Sequence, residues 1–275
     1  MKPRSRTWYA VISMLAFVAI DHLGDLLHQF NLRRFMPWLL VLAIRNSLEV
    51  SSAIIGVMLA HGSGFKNALR ELGMTAPARR AIVFALIVTS PMLIAFAVGF
   101  HLNPKMSFLS VVVGCFIAPF AEEVIFRAYL FKQLYHRARL GFWLSALIPS
   151  VLFALGHVYQ SSSPMELAGI LAVTGIGSVI ACWLFMRWQY NLWVVVSLHV
   201  AMNLWWEVFA VDDTALGGWL ANGARLVTIA CAILLTIFKD RFWPPLANSD
   251  HGANRVESAG NDGSRMSFHC WASAH

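Results

Sequence analysis

Two adjacent carboxylates and an arginine, Glu122, Glu123 and Arg127, interrupt an apolar run at 118–130. A charged side chain at the bilayer centre costs about 2.5–3.5 kcal/mol, so such a cluster is expected to face a protein interior or a water-filled cavity. On a helix, Glu123 and Arg127 lie one turn apart and can form an ion pair, whereas Glu122 points about 100° away. The spacing therefore gives Glu123 and Arg127 a supporting role and leaves Glu122 free to face a substrate.

Two later apolar runs carry further residues that could do chemistry. His157 completes a Phe153-x-x-x-His157 pattern, and His199 is followed four residues later by Asn203, on the same face of a helix. A carboxylate can take a proton from water, imidazoles can orient that water, and an amide can donate a hydrogen bond to a developing oxyanion. Together these residue types predict hydrolysis of a peptide bond.

The same residues also allow a metal site. Two histidines and one carboxylate with an open coordination position form a known catalytic zinc set, which here would be Glu122, His157 and His199. The common single-helix zinc motif, HExxH, is absent from the sequence. Two mechanisms therefore stay open at this point. In one, Glu122 activates water without a metal; in the other, a divalent metal such as zinc is the cofactor.

The composition predicts the elements that must position these residues. The 275 residues are 58% hydrophobic and only 13% charged, which indicates a polytopic membrane protein built as an all-α helix bundle. About 20 helical residues cross a bilayer core about 30 Å thick, so the apolar runs predict about eight spans. The segment between 62 and 80 is too charged to span and suits a short amphipathic helix. The predicted spans are 8–28, 37–60, 81–100, 108–134, 142–158, 165–186, 192–210 and 219–238.

The distribution of basic residues predicts the orientation. The net charge of +7 is not a nucleic-acid footprint, because the basic residues fall between apolar runs rather than along one face. If the chain begins in the cytoplasm, thirteen of them lie at cytoplasmic membrane ends and four lie at the opposite ends. The positive-inside rule then places both termini in the cytoplasm, and we expect residence in the plasma (inner) membrane. We predict one membrane domain over 1–243 and a polar, disordered cytoplasmic tail over 244–275.

With these motifs in place, the chain resembles the CPBP family of intramembrane proteases, which includes the type II CAAX prenyl endopeptidases and abortive-infection-like membrane proteins. That family carries EExxxR, FxxxH and HxxxN in this order, and the resemblance covers a motif core at about 107–206. It implies a helical membrane bundle whose buried site opens towards the cytoplasmic leaflet. The resemblance also implies that Glu122 is the general base, assisted by His157 and His199, with Asn203 at the oxyanion.

Two functions from different classes remain. In the first, the chain is an intramembrane endopeptidase that acts on a membrane-associated protein or peptide within the lipid bilayer. In the second, the same fold serves as a membrane partner or immunity protein that binds or shields a target without proteolysis. A buried structural ion network is the corresponding alternative for the acidic cluster. The complete motif set favours the endopeptidase.

Overall fold

The computed structural model describes residues 5–29 and 32–243. This part of the chain is helical, apart from loops and one isolated antiparallel bridge between Leu102 and Phe209. Short 3-10 turns precede α2 and follow α6. The helices are α1 (Arg6–Gln29), α2 (Trp38–His61), α3 (Phe65–Glu71), α4 (Arg79–Gly99), α5 (Phe108–Arg137), α6 (Phe142–Leu155), α7 (Pro164–Arg187), α8 (Leu192–Val208), α9 (Trp219–Ile237) and α10 (Lys239–Phe242).

Six of the described helices are long and apolar enough to cross a membrane. They are α2, α4, α5, α6 with its following turn, α7 and α9. Two further apolar helices, Arg6–Ile20 within α1 and Leu192–Val208, are shorter. Each predicted span coincides with a helix, so the prediction of an all-α polytopic bundle is confirmed. The count of eight crossings stays a prediction.

The predicted amphipathic segment contains a short helix, α3, followed by a turn at Gly73. Gly73 has a positive φ of 75°, and a Cβ atom there would overlap the carbonyl oxygen of Tyr190. Glycine is required at this position because it alone tolerates both the backbone conformation and the close approach. The turn thereby packs against the loop that precedes α8.

The chain divides into a helical unit, Met1–Lys239, and a C-terminal unit, Asp240–His275. Within the first unit, α4 packs against both α8 and α9, α6 packs against α7, and α1 packs against α2. The described part of the second unit is the end of α10. The predicted tail at 244–275 lies outside the described residues.

Helix α5 carries the acidic cluster and has an unusual backbone. It begins with a capping box, in which Ser107 and Ser110 each accept a hydrogen bond from the other's backbone amide. Wide π turns then run over Val111–Ile117 and Glu123–Phe131, so the amide of Ala118 donates to the carbonyl of Val113, five residues back. The helix continues through Pro119 to Arg137. Such π turns occur frequently at functional sites.

Candidate active site

Glu123 is the buried centre of the acidic cluster. Its side chain is 2% exposed, and its Oε1 atom lies 3.1 Å from Nη1 of Arg127, one turn along α5. The predicted ion pair is therefore present. The same oxygen lies 2.8 Å from Nδ1 of His199 on α8. Because a carboxylate can only accept, His199 carries its hydrogen on Nδ1 and donates it to Glu123.

Glu122 has a different environment from its neighbour. Its side chain is 34% exposed, and its Oε2 atom lies 3.8 Å from Nε2 of His199. With the His199 hydrogen on Nδ1, the Nε2 atom is an acceptor that faces Glu122. The separation is too long for a direct hydrogen bond but lets one water molecule contact both atoms. The helix thus directs Glu123 towards a buried ion pair and Glu122 towards an accessible space.

Phe153 contacts both histidines of the site as well as Arg127. The Nδ1 atom of His157 donates to the carbonyl oxygen of Phe153 across 2.8 Å, which leaves Nε2 of His157 as the available ring nitrogen. The Phe153 ring lies 4.7 Å from the His157 ring and 6.5 Å from the His199 ring, between centroids. The guanidinium of Arg127 lies 4.6 Å from the same ring, a cation–π distance. Phe153 therefore connects all three helices of the site.

The side-chain amide of Asn203 binds a backbone carbonyl oxygen of α5. This carbonyl lacks a backbone N–H donor because the residue that would supply it is Pro119. In the π turns of α5, the residue after Ala118 would donate its amide hydrogen to the carbonyl of Gly114, five residues earlier. That residue is Pro119, which has no amide hydrogen. The Nδ2 atom of Asn203 lies 3.4 Å from the Gly114 carbonyl oxygen and donates to it. Pro119 therefore contributes indirectly to the orientation of the Asn203 amide.

All seven motif residues line one cavity of about 1760 Å³. Its wall also contains the Arg45–Glu49 ion pair of α2, whose Nε and Oε1 atoms lie 2.6 Å apart. Glu207 is a cavity residue that the motif analysis missed, although it lies one further turn along the His199 and Asn203 face of α8. Ser110 donates to its carboxylate across 2.7 Å. The cavity is large enough for an extended peptide segment beside the candidate base.

The residues considered as metal ligands are not gathered around one point. In the part of the chain that the structure describes, no group of three His, Cys, Asp or Glu side chains is placed to hold a metal ion. Glu122 and His199 approach each other, but His157 does not complete the set with them. This arrangement does not fit the three-ligand site that the sequence left open. A mechanism that uses protein groups alone fits this arrangement, and the metal alternative stays a prediction that chelation can test.

Comparisons with known proteins support the resemblance to a family of membrane proteases. One relative, from Bacillus subtilis (strain 168), is named "Putative membrane peptidase YdiL" and is 32% identical over 95 residues. The aligned region covers 34% of this chain and 34% of that protein, so the chain spans about a third of the relative's length. No solved structure matches this chain. Residues 104–205, the segment that carries all three motifs, match the family described as "Type II CAAX prenyl endopeptidase Rce1-like", which confirms the family resemblance.

Proposed function

We propose that this chain is an intramembrane endopeptidase that hydrolyses a peptide bond of a membrane-associated protein or peptide. The observation that carries the proposal is the difference in environment between the two carboxylates. Glu123 is buried between Arg127 and His199, whereas Glu122 is accessible in the cavity and faces the acceptor nitrogen of His199. A purely structural network would need only the first carboxylate.

The attacking water is positioned by two acceptors, Glu122 Oε2 and His199 Nε2. Glu122 takes one proton from this water while the other hydrogen is directed at His199, and the water oxygen attacks the carbonyl carbon of the peptide bond. His157 assists through Nε2, the ring nitrogen that its contact with Phe153 leaves available. Glu123 does not meet the substrate in this scheme. It fixes the tautomer of His199, and Arg127 keeps Glu123 in place.

The tetrahedral intermediate carries its negative charge on the former carbonyl oxygen. Asn203 has two amide hydrogens, one of which is directed at Gly114, so the second is available for this oxyanion. When the intermediate collapses, the carbon–nitrogen bond breaks and protonated Glu122 gives its proton to the leaving nitrogen. The products are a carboxylic acid, which keeps the second hydrogen of the water until it ionises, and a new amine, and Glu122 returns to its ionised state.

The test compares cells that express the wild-type chain with cells that express the Glu122→Gln variant. Mass spectrometry of membrane fractions should find at least one membrane protein or peptide that is truncated only with the wild type. The variant must be inserted in the membrane at a normal level, which immunoblotting of the same fractions establishes. If all effects of the chain on these cells persist in an inserted Glu122→Gln variant, the protein acts by binding or shielding rather than by proteolysis.

A further inference from the structure

The helical unit has two ends that differ in their loops. We name as the basic end the segments 62–78, 138–141 and 188–191, and as the open end the segments 100–107, 156–163 and 209–218. At the basic end, Asn191 donates to the carbonyl of Pro77 across 3.0 Å. At the open end, the amide of Ala215 donates to Gln160 across 2.8 Å. The connections thus alternate between two clusters of loops, as they do in a bundle whose helices run antiparallel.

The loops at the open end also contact each other through the backbone. The amide of Ala210 donates to the carbonyl of His101 across 2.8 Å, and the amide of Asn103 donates to the carbonyl of Val208 across 2.9 Å. These hydrogen bonds accompany the isolated bridge between Leu102 and Phe209. The segment before α5 and the segment after α8 therefore form one rim.

The cavity that contains Glu122 extends to the open end. Its lining includes residues of all three open-end segments, namely 103–105, 156–157 with 159–160, and 209–215. Within the described residues, no residue of the basic-end segments lines this cavity. Tyr159 is one of the lining residues and is 80% exposed. A peptide would therefore enter the cavity from the open end.

Charge distinguishes the two ends. Seven arginines and lysines lie at the basic end and the helix termini beside it, whereas the three open-end segments contain Asp212 and Asp213, with Lys105 as their one lysine or arginine. Loops rich in lysine and arginine are retained on the cytoplasmic side of a membrane. The basic residues at the basic end are Lys66, Arg70, Arg79, Arg80, Arg137, Arg139 and Arg187.

We propose that the cavity opens on the non-cytoplasmic face of the membrane. If the chain is the endopeptidase proposed above, its substrate is then a membrane-anchored peptide segment presented from that face. This placement conflicts with the cytoplasmic-leaflet opening that the family resemblance implied. With the basic end in the cytoplasm, a prenylated carboxyl terminus of a cytoplasmic protein would reach the bundle at the wrong end. The substrate class is therefore exported or membrane-inserted peptides.

Cysteine labelling tests the orientation without any need for activity. Tyr159→Cys marks the open end, and Lys66→Cys, at an exposed position of α3, marks the basic end. Both are made in a chain whose Cys231 and Cys270 are replaced by serine, and this parent chain without a new cysteine supplies the blank. A membrane-impermeant maleimide is added to right-side-out vesicles, to inverted vesicles and to detergent-solubilised membranes.

In right-side-out vesicles, the Tyr159→Cys chain should be labelled as fully as in detergent, and the Lys66→Cys chain should be labelled only after detergent. Inverted vesicles should give the reverse pattern. Labelling of the Lys66→Cys chain in right-side-out vesicles, with protection of the Tyr159→Cys chain, would overturn the proposal. The same labelling is repeated in the Glu122→Gln background. Unchanged labelling together with unchanged processing there would refute the endopeptidase function while leaving the orientation intact.

Discussion

His199 donates its Nδ1 hydrogen to Glu123 across 2.8 Å, and this contact determines which nitrogen it presents to Glu122. A buried carboxylate behind a histidine fixes the tautomer of the ring, so the opposite nitrogen becomes a defined acceptor. The two adjacent carboxylates therefore act on opposite sides of one imidazole. This relationship makes Glu123 a positioning residue and Glu122 the candidate base.

Replacing Glu123 with glutamine should reduce both stability and activity. The change leaves the buried Arg127 without its charged partner, and breaking a buried pair in this way costs about 3–5 kcal/mol of unfolding free energy. Denaturant unfolding of the purified protein in detergent measures this loss.

The double variant Glu123→Gln, Arg127→Met separates stability from positioning. It removes the uncompensated charge, so we expect a large part of the unfolding free energy to return. Turnover should stay low, because His199 still lacks its carboxylate acceptor. Recovery of wild-type turnover in the double variant would show that Glu123 serves the fold alone.

Asn203 and Pro119 should affect the same step by different amounts. Asn203→Ala removes the proposed oxyanion donor, for which losses of about 10²–10³-fold in kcat are typical. Pro119→Ala supplies an amide hydrogen that can compete for the Gly114 carbonyl, so the Asn203 amide loses its anchor and kcat should fall to a smaller extent. Steady-state kinetics of both variants check this order. A Pro119→Ala enzyme that is impaired more than Asn203→Ala would contradict the indirect role.

Glu71 should make stability depend on acid pH. Burial alone would raise the pKa of this carboxyl, but the charges of Lys132 and Arg137, with a hydrogen bond from Arg137, hold the pKa below its ordinary value. The stabilisation is therefore complete above the unfolded-state pKa of about 4.3 and is lost as the pH falls through the lower folded-state pKa. The ion pair with Arg137 spans 3.0 Å and contributes up to about 1 kcal/mol.

Thermal unfolding of the wild type and of the Glu71→Gln variant between pH 7 and pH 3 measures this contribution. The difference in Tm between the two proteins should be present at pH 7 and should shrink at the acid end. A difference that stays constant over the whole range would mean that the ionisation of Glu71 does not stabilise the fold.

A strong chelator should leave the turnover of the purified enzyme unchanged. This expectation follows from the placement of Glu122, His199 and His157, which do not gather as three ligands of one ion. Turnover is measured before and after dialysis against the chelator, followed by readdition of zinc. Loss of turnover that zinc restores would favour the metal mechanism instead.

The sequence predicted the helices well because each apolar run is long and bounded by polar or turn-forming residues. Helical periodicity also predicted the contact between Glu123 and Arg127, since both residues lie on one helix. Helical periodicity cannot predict contacts between residues of different helices. The hydrogen bond between His199 and Glu123 depends on how α8 packs against α5, which no local pattern encodes.

Helical periodicity also cannot predict the backbone conformation within α5. On both sides of Pro119, α5 widens into π turns, and the helix continues to Arg137. The consequence for Asn203 follows only once the π register identifies Gly114 as the carbonyl without a donor. Similarly, the cavity extends to the open end because of how the loops assemble, which the spacing of the motif residues does not encode.

The most direct test of the account is the turnover of the Glu122→Gln enzyme on the substrate that the membrane comparison identifies. The matched control is Glu166→Gln, a carboxylate of the same cavity wall that contacts Ser161 and Thr214 instead of the motif residues. We predict that kcat falls by about 10²–10⁴-fold in Glu122→Gln and is retained in Glu166→Gln, with both proteins folded and inserted. Wild-type turnover by a correctly inserted Glu122→Gln enzyme would contradict the assignment of Glu122 as the base.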